Sequence, residues 1–293
     1  MSRHNLPGAV IPGTAIRIIT GKIARIQHGQ IKCLLWDWDG NFSLLRQGWQ
    51  GIMAPVMVES ICGDSGPTPE IRQAVTDFIA ETTGIRTIEQ MRGLVRMIRE
   101  YGLVPESQIG DEWHYKRVYL ERLMVPVRER IALVESEQVH PRDMMLAGAF
   151  AVLPALARTG VTQLAFSGTD EENVVHEAGV LGAVQYFERI FGAAIALAPG
   201  QVERDKGDVL AEELQRRGLE PSEVAGGGDG PVEVRVLAQA GALSIGVASN
   251  EEQGRGWDFK KAEKLVAAGA DVIMPDWRWY RVLIKHVLQL QAV

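Results

Sequence analysis

A chain of 293 residues is long enough for one large α/β domain, or for a core with a smaller domain attached. Its 46% hydrophobic and 23% charged content suits a globular protein, and a formal net charge of −6 without any basic run argues against nucleic acid or an anionic membrane as partner. No apolar run is long enough to span a bilayer, residues 1–14 lack the order of a signal peptide, and Cys33 and Cys62 fall in no metal-ligand pattern, so a reducing cytoplasm is the expected setting.

Within residues 1–30, the stretch 15–26 alternates partly around Thr20-Gly21-Lys22, which predicts a β-hairpin in an amino-terminal extension to the main fold. Ile31 to Trp36 is an apolar run broken only by Lys32, and it ends in Asp37-Trp38-Asp39-Gly40. Such a run, closed by turn residues, suits a strand buried on both faces of a parallel sheet. Catalytic groups of open α/β sheets sit just past the carboxyl ends of these strands. Two acids at i and i+2 are costly to group together, and a bound cation is the usual compensation. The plainer reading is an Asp-Gly turn in a polar loop.

Beyond Ser43 the period becomes helical: Leu44, Leu45, Trp49, Ile52, Met53, Val56 and Met57 share one face, with Pro55 as an irregularity. Thr68 as N-cap and Pro69 at the first helical position start a second helix that runs to Thr83-Gly84. Met91, Leu94, Val95 and Ile98 mark a third helix from Thr87, and Glu112 to Val134 reads as a fourth. No strand pattern falls between Leu44 and Val139. A helical module of about a hundred residues, 46–140, thus interrupts an α/β core made of 31–45 and 141–293.

The core pattern resumes with a helix from Met144 to Thr159 and a strand at 162–166 closed by Ser167-Gly168-Thr169. A helix over 171–181 and a short strand at Ala194–Leu197 follow. Lys206 opens the next helix, which ends at Arg217-Gly218. A small strand at 223–225 precedes a glycine loop, 226–230, and a helix at 231–240. Strands at 243–248 and 270–274 flank a helix at 261–268, and 279–291 is a closing helix. Strands alternating with helices predict a parallel sheet with right-handed crossovers.

Four polar points fall at strand ends or helix starts: Asp37/Asp39, Ser167, Lys206 and the Gly228-Asp229-Gly-Pro-Val-Glu233 segment. In order and context they resemble the haloacid dehalogenase (HAD) superfamily, in its phosphatase branch, over Ile31 to Trp277. The similarity is to phosphoglycolate phosphatase-like and β-phosphoglucomutase-like members. It implies a Rossmann-like parallel core with a helical cap inserted after the first core strand. It also implies a Mg²⁺-dependent phosphatase acting on a small phosphorylated metabolite, a sugar phosphate or a phosphoglycolate-like acid.

In that resemblance Asp37 attacks phosphorus to form an aspartyl-phosphate, and Asp39 is the acid/base. Mg²⁺ would be held by the Asp37 side chain, the Asp39 backbone carbonyl and Asp229. Ser167 and the amides of Gly168 and Asn41 would cradle phosphate oxygens, with Lys206 offsetting charge. Ser167 also suits a helix N-cap, and Arg204 competes with Lys206 for its role. Two positions depart from the family pattern. Asn41 stands where threonine is usual, and Glu233 replaces an aspartate, so Glu233 would either ligate the metal or orient its ligands. Asp39 itself excludes dehalogenation, because a halide leaving group needs no proton.

A cap in this position would exclude water and select the substrate. Arg46, Gln47, Trp49, Glu59, His114, Lys116 and Arg117 are the candidates to face that substrate; each also reads as an exposed or packed helix residue. A site so covered implies a small soluble substrate. The competing functions are a phosphomutase of the β-phosphoglucomutase kind, a phosphonate hydrolase using Lys116, and a non-catalytic binding protein on the same scaffold. A homo-oligomer is compatible with all of them.

Overall fold

A computed structural model describes residues 6–193 and 204–291, so the strand expected at 194–197 lies outside the described residues. The strands are β1 (Ala9–Val10), β2 (Arg17–Ile18), β3 (Cys33–Trp36), β4 (Thr162–Asp170), β5 (Arg189–Ala193), β6 (Val224–Gly228), β7 (Leu243–Val247) and β8 (Val272–Met274). They form one sheet in the order β1-β2-β8-β7-β6-β3-β4-β5, parallel from β8 to β5 and antiparallel at β1 and β2. The helices are α1 (Trp49–Cys62), α2 (Pro69–Glu81), α3 (Thr87–Tyr101), α4 (Glu112–Glu135), α5 (Ala149–Ala157), α6 (Glu171–Val180), α7 (Lys206–Arg217), α8 (Pro231–Ala240) and α9 (Phe259–Ala267). No helix among the described residues is long and apolar enough to cross a membrane.

The central strand shows why the sheet is covered on both sides. Side chains alternate along a strand, so Leu34 and Trp36 join the larger core cluster with Val152, Leu156 and Trp277. Cys33 and Leu35 face the opposite layer, with Leu210 and Leu237 of α7 and α8. Between β3 and β4 the described elements are helical. Thr68 caps α2 as its sequence context predicts, accepting from the Ile71 backbone amide, and Asp111 caps α4 by accepting from that of His114.

Several boundaries differ from the sequence reading. The amino-terminal hairpin pairs 9–10 with 17–18, and Thr20-Gly21-Lys22 is not its tip. Thr20 instead caps a short 3₁₀ turn, Gly21–Arg25, and its hydroxyl donates to Asp271 at 2.6 Å. The extension therefore adds two strands to the main sheet beside β8. Leu44 and Leu45 are buried in a loop, and α1 begins only after Gly48, whose φ of 84° suits glycine. The helix read over 144–159 is divided: a single turn, Pro141–Met144, precedes α5. The closing segment is helical over 280–287 and includes one π-type turn, Leu283–Val287.

The glycines 226–228, read as loop, are the body of β6. Their reason is steric. A Cβ on Gly226 would overlap the Leu35 carbonyl of the neighbouring strand, and one on Gly227 the Ile245 carbonyl. We expect Gly226→Ala to cost about 1–3 kcal/mol or more, because no flexible side chain is there to yield. Gly179→Ala, where nothing lies within 4 Å, is the control and should be neutral or stabilising in the same denaturant titration.

Candidate active site

A cleft opens at the carboxyl ends of β3, β4 and β6, lined from the core by Asp37, Asp39, Gly40, Ser167, Gly168, Thr169, Lys206 and Asp229. Its other wall is Arg46, Trp49, Tyr119 and Leu123 together with Thr83, Gly84, Ile85, Thr87 and Gln90 from around the α2–α3 connection. Asp37 follows β3 directly, and its amide donates to Gly227 O at 2.8 Å, so strand pairing fixes its position. Trp38 turns into the core, where it meets Phe42 and Phe187, which leaves the two aspartates on the cleft.

Lys206 heads α7, and its Nζ lies 2.8 Å from Asp37 Oδ1 while also pairing with Glu233 Oε1. Asp205 caps that helix in a reciprocal capping box with Asp208, which fixes the lysine's point of departure. Burial opposes the charge on Lys206, but Asp37 and Glu233 hold it protonated, with its pKa raised. Burial pushes the Asp37 carboxyl well up, against the pull of Lys206 and with the neighbouring Glu233 and Asp229 charges adding to the rise. Arg204, the competitor for this role, instead pairs with exposed Glu212.

Asp39 Oδ2 accepts from Ser167 Oγ at 3.1 Å and Thr169 Oγ1 at 2.9 Å. Its Oδ1 is buried with no hydrogen-bond partner among the described residues, and Arg46 Nε lies 3.9 Å away. Gly168 lets the β4 end approach the helical layer: a Cβ there would sit 2.8 Å from Ile85 O. Ser167 Oγ also accepts from Thr169 N at 3.0 Å, a local turn in place of a helix N-cap. Asn41 is fully buried, is absent from the cleft lining and donates through Nδ2 to Asp37 O at 2.8 Å; its side chain ties the loop together.

Of the residues expected to face a substrate, Arg46 and Trp49 line the cleft. Glu59 is exposed and pairs with Arg122 at 2.6 Å. His114 and Arg117 are exposed on α4 and outside the lining, and Gln47 offers its carbonyl to Arg130. Lys116 is buried against Asp170 at 2.5 Å, which removes it as a candidate Schiff-base lysine facing the cleft. Sequence reasoning missed Thr169, Glu177 and Lys261. Glu177 of α6 clasps Arg46 (Nη2–Oε1 2.7 Å), and Lys261 lies 2.7 Å from Asp229 Oδ2 and from Glu251 Oε1. Only the Ser-x-Thr spacing at 167–169 was a readable signal; the other two depend on helices brought together by the fold.

The donor set fits a hard divalent cation. Around the cleft six carboxylates (Asp37, Asp39, Glu177, Asp229, Glu233, Glu251) face three cationic side chains, Arg46, Lys206 and Lys261. Glu233 Oε2 is buried without a hydrogen-bond partner among the described residues, and Asp229 is packed against Gly40, where a Cβ would overlap its carboxylate. An excess of acids at one cleft is eased by a cation, and oxygen ligands suit a hard divalent ion. Among the described residues no three carboxylate, histidine or cysteine groups are already set at ligating distance. The two lysines hold the acidic side chains that a metal would claim.

No family model matches the sequence, and no curated protein does. Solved structures do. One, described as a predicted phosphoglycolate phosphatase from Haemophilus somnus, is 13% identical with a TM-score of 0.56, covering 87% of this chain and 98% of that one. A β-phosphoglucomutase from Clostridium difficile is 14% identical with a TM-score of 0.53, over 84% of this chain and 92% of its own. A HAD family hydrolase from Deinococcus radiodurans, with bound phosphate and sodium, is 18% identical with a TM-score of 0.52, over 90% of this chain and all of its own. At such identities the likeness is one of architecture, and it establishes that this chain has the haloacid dehalogenase-like α/β fold.

Proposed function

We propose that the protein is a Mg²⁺-dependent phosphatase of a small phosphorylated metabolite, with residues 46–140 acting as a cap over the reaction site. The observation that carries this reading is the gathering of Asp37, Asp39, Ser167, Lys206 and Asp229, distant in sequence, around one cleft at the carboxyl ends of three strands. In-line phosphoryl transfer needs a nucleophile, charge neutralisation and a proton source, and these residues supply all three. The bound phosphate of the Deinococcus hydrolase adds support.

Asp37 attacks phosphorus, so that a bond from its carboxylate oxygen forms as the ester P–O bond breaks. Asp39 gives its proton to the departing oxygen, then takes one from the water that attacks the aspartyl-phosphate and frees inorganic phosphate. Ser167 and the Gly168 amide receive phosphoryl oxygens, and Lys206 offsets charge beside the nucleophile. Asp37, Asp229 and the Asp39 carbonyl would hold Mg²⁺, with Glu233 alongside. The ion neutralises phosphoryl oxygens and orients them when bound.

The test is phosphate release from a broad panel of phosphate esters, with and without Mg²⁺ and after chelation. Turnover that needs the metal supports the reading; none across the panel overturns it in favour of a binding protein. Release without any added bisphosphate separates a phosphatase from a phosphomutase. Thr169 supplies one of two hydroxyl donors to Asp39, so we expect Thr169→Val to lower kcat/KM by about ten- to a hundredfold, with Thr169→Ser close to wild type.

A further inference from the structure

The reaction cleft is small, with a cavity of about 80 Å³. That is room for a handful of waters, well short of the roughly 300 Å³ at which small-molecule sites begin. A second cavity of about 440 Å³ adjoins it, and Thr83 and Asp229 line both. Its walls are Gln50, Gly51 and Ala54 of α1, Thr76, Ile79 and Ala80 of α2, Pro231 of α8, and Lys260, Lys261 and Lys264 of α9. It therefore lies between the helical layer and the core, on the Asp229 side of the reaction site.

The lining carries three lysines, Lys260, Lys261 and Lys264, against two aspartates, Asp229 and Asp258. Asp229 is taken by Lys261, and Asp258 caps α9 by accepting from Lys261 N at 3.0 Å. Lys264 donates to the Ala80 carbonyl at 3.2 Å, which leaves its charge uncompensated. Lys260 has no carboxylate partner among the described residues. Lys260 and Lys264, both exposed and neither paired with a carboxylate among the described residues, thus stand beside a partly apolar floor of Ala54, Ile79, Ala80 and Pro231, with the Asp258 carboxylate at the same wall. The initial turns of α1, α8 and α9 also line it and add positive potential, set against the carbonyl end of α2, which Lys264 caps.

Building on the phosphatase reading, we propose that the substrate's leaving group carries a second anionic group at its far end, seated on Lys260 and Lys264 in this cavity. The apolar floor takes the linking carbons. A substrate with its two charged groups on adjacent atoms would leave this cavity empty; the arrangement selects an ester with several carbons between phosphate and distal anion.

The test compares matched esters on the full chain with Mg²⁺: phosphorylated 6-hydroxyhexanoate, phosphorylated glycolate and hexyl phosphate. Phosphorylated 6-hydroxyhexanoate should exceed both others in kcat/KM by about tenfold or more. Lys260→Glu should collapse that preference by raising KM for the anionic ester, with Lys260→Arg retaining it. Equal use of charged and uncharged tails, or a preference that survives Lys260→Glu, overturns the proposal. If no ester is hydrolysed, the phosphatase reading falls, and calorimetry then decides the subsite separately. There 6-phosphonohexanoate should bind wild type about tenfold more tightly than hexylphosphonate, with the difference lost in Lys260→Glu. Equal affinities overturn the subsite.

Discussion

Asp37→Asn should abolish phosphate release, with a loss of roughly four orders of magnitude or more, because no neighbouring group can replace the attacking oxygen. Asp39 is turned toward Ser167 and Thr169 and Asp229 toward Lys261, whereas Asp37 sits directly at the end of β3 beside Lys206, the cation that would offset phosphoryl charge. The same substitution should leave the fold intact and should not lower the melting temperature in metal-free buffer. A carboxyl whose pKa is higher folded than unfolded binds its proton more tightly when folded. Its contribution then favours folding at low pH and is lost as pH rises through the folded value. Asp37 is such a group, pushed up by burial and by the nearby acids. Asparagine removes that cost, and Lys206 keeps Glu233 as its partner. Substantial residual turnover would refute the nucleophile; a melting temperature several degrees lower would show that the Asp37–Lys206 pair supports the fold.

The core was legible because its physics is local. An apolar run of strand length ending in Asp-Trp-Asp-Gly can be read without knowing its neighbours, and so can Lys206 at a helix start. The glycines of β6 misled for the opposite reason. Composition marks Gly226-Gly227-Gly228 as loop, but their role is to let β3 and β7 approach, a fact that belongs to the neighbouring strands. Asn41 shows a similar limit: sequence places it close to Asp37, and only the structure shows its side chain buried and its Nδ2 donating to Asp37 O.

The helical layer was less legible still. Seven residues were read as facing a substrate; α4 turns His114 and Arg117 outward and buries Lys116 against Asp170. Besides Arg46 and Trp49, what reaches the cleft is Tyr119 and Leu123 of α4 and the connection between α2 and α3, Thr83 to Ile85, whose sequence looks like an ordinary helix end. Helical periodicity tells which residues share a face, and only the packing of one helix on another tells which face meets the core.

The Arg46–Glu177 pair shows stability and chemistry meeting in one contact. Both side chains are nearly sealed from water, at 6% and 1% exposed, with Arg46 Nε and Nη2 both donating to Glu177. Glu177 holds Arg46 charged against the cost of burial, and burial pushes the Glu177 carboxyl up against the pull of Arg46. Glu177→Ala leaves a buried guanidinium with only Asp39, at 3.9 Å, as a counter-charge. We expect a loss of about 3–5 kcal/mol, or roughly 6–20 °C in melting temperature. Replacing both partners, Arg46→Met with Glu177→Leu, should recover most of it, since the uncompensated charge goes too. Thermal melts of the three proteins check this; a Glu177→Ala variant within a degree or two of wild type would show the pair to be dispensable. Phosphate release should not recover with stability in the double variant. Among the described residues Asp39 Oδ1 has no hydrogen-bond partner and Arg46 is the cation that faces it, and the apolar pair restores packing without that charge.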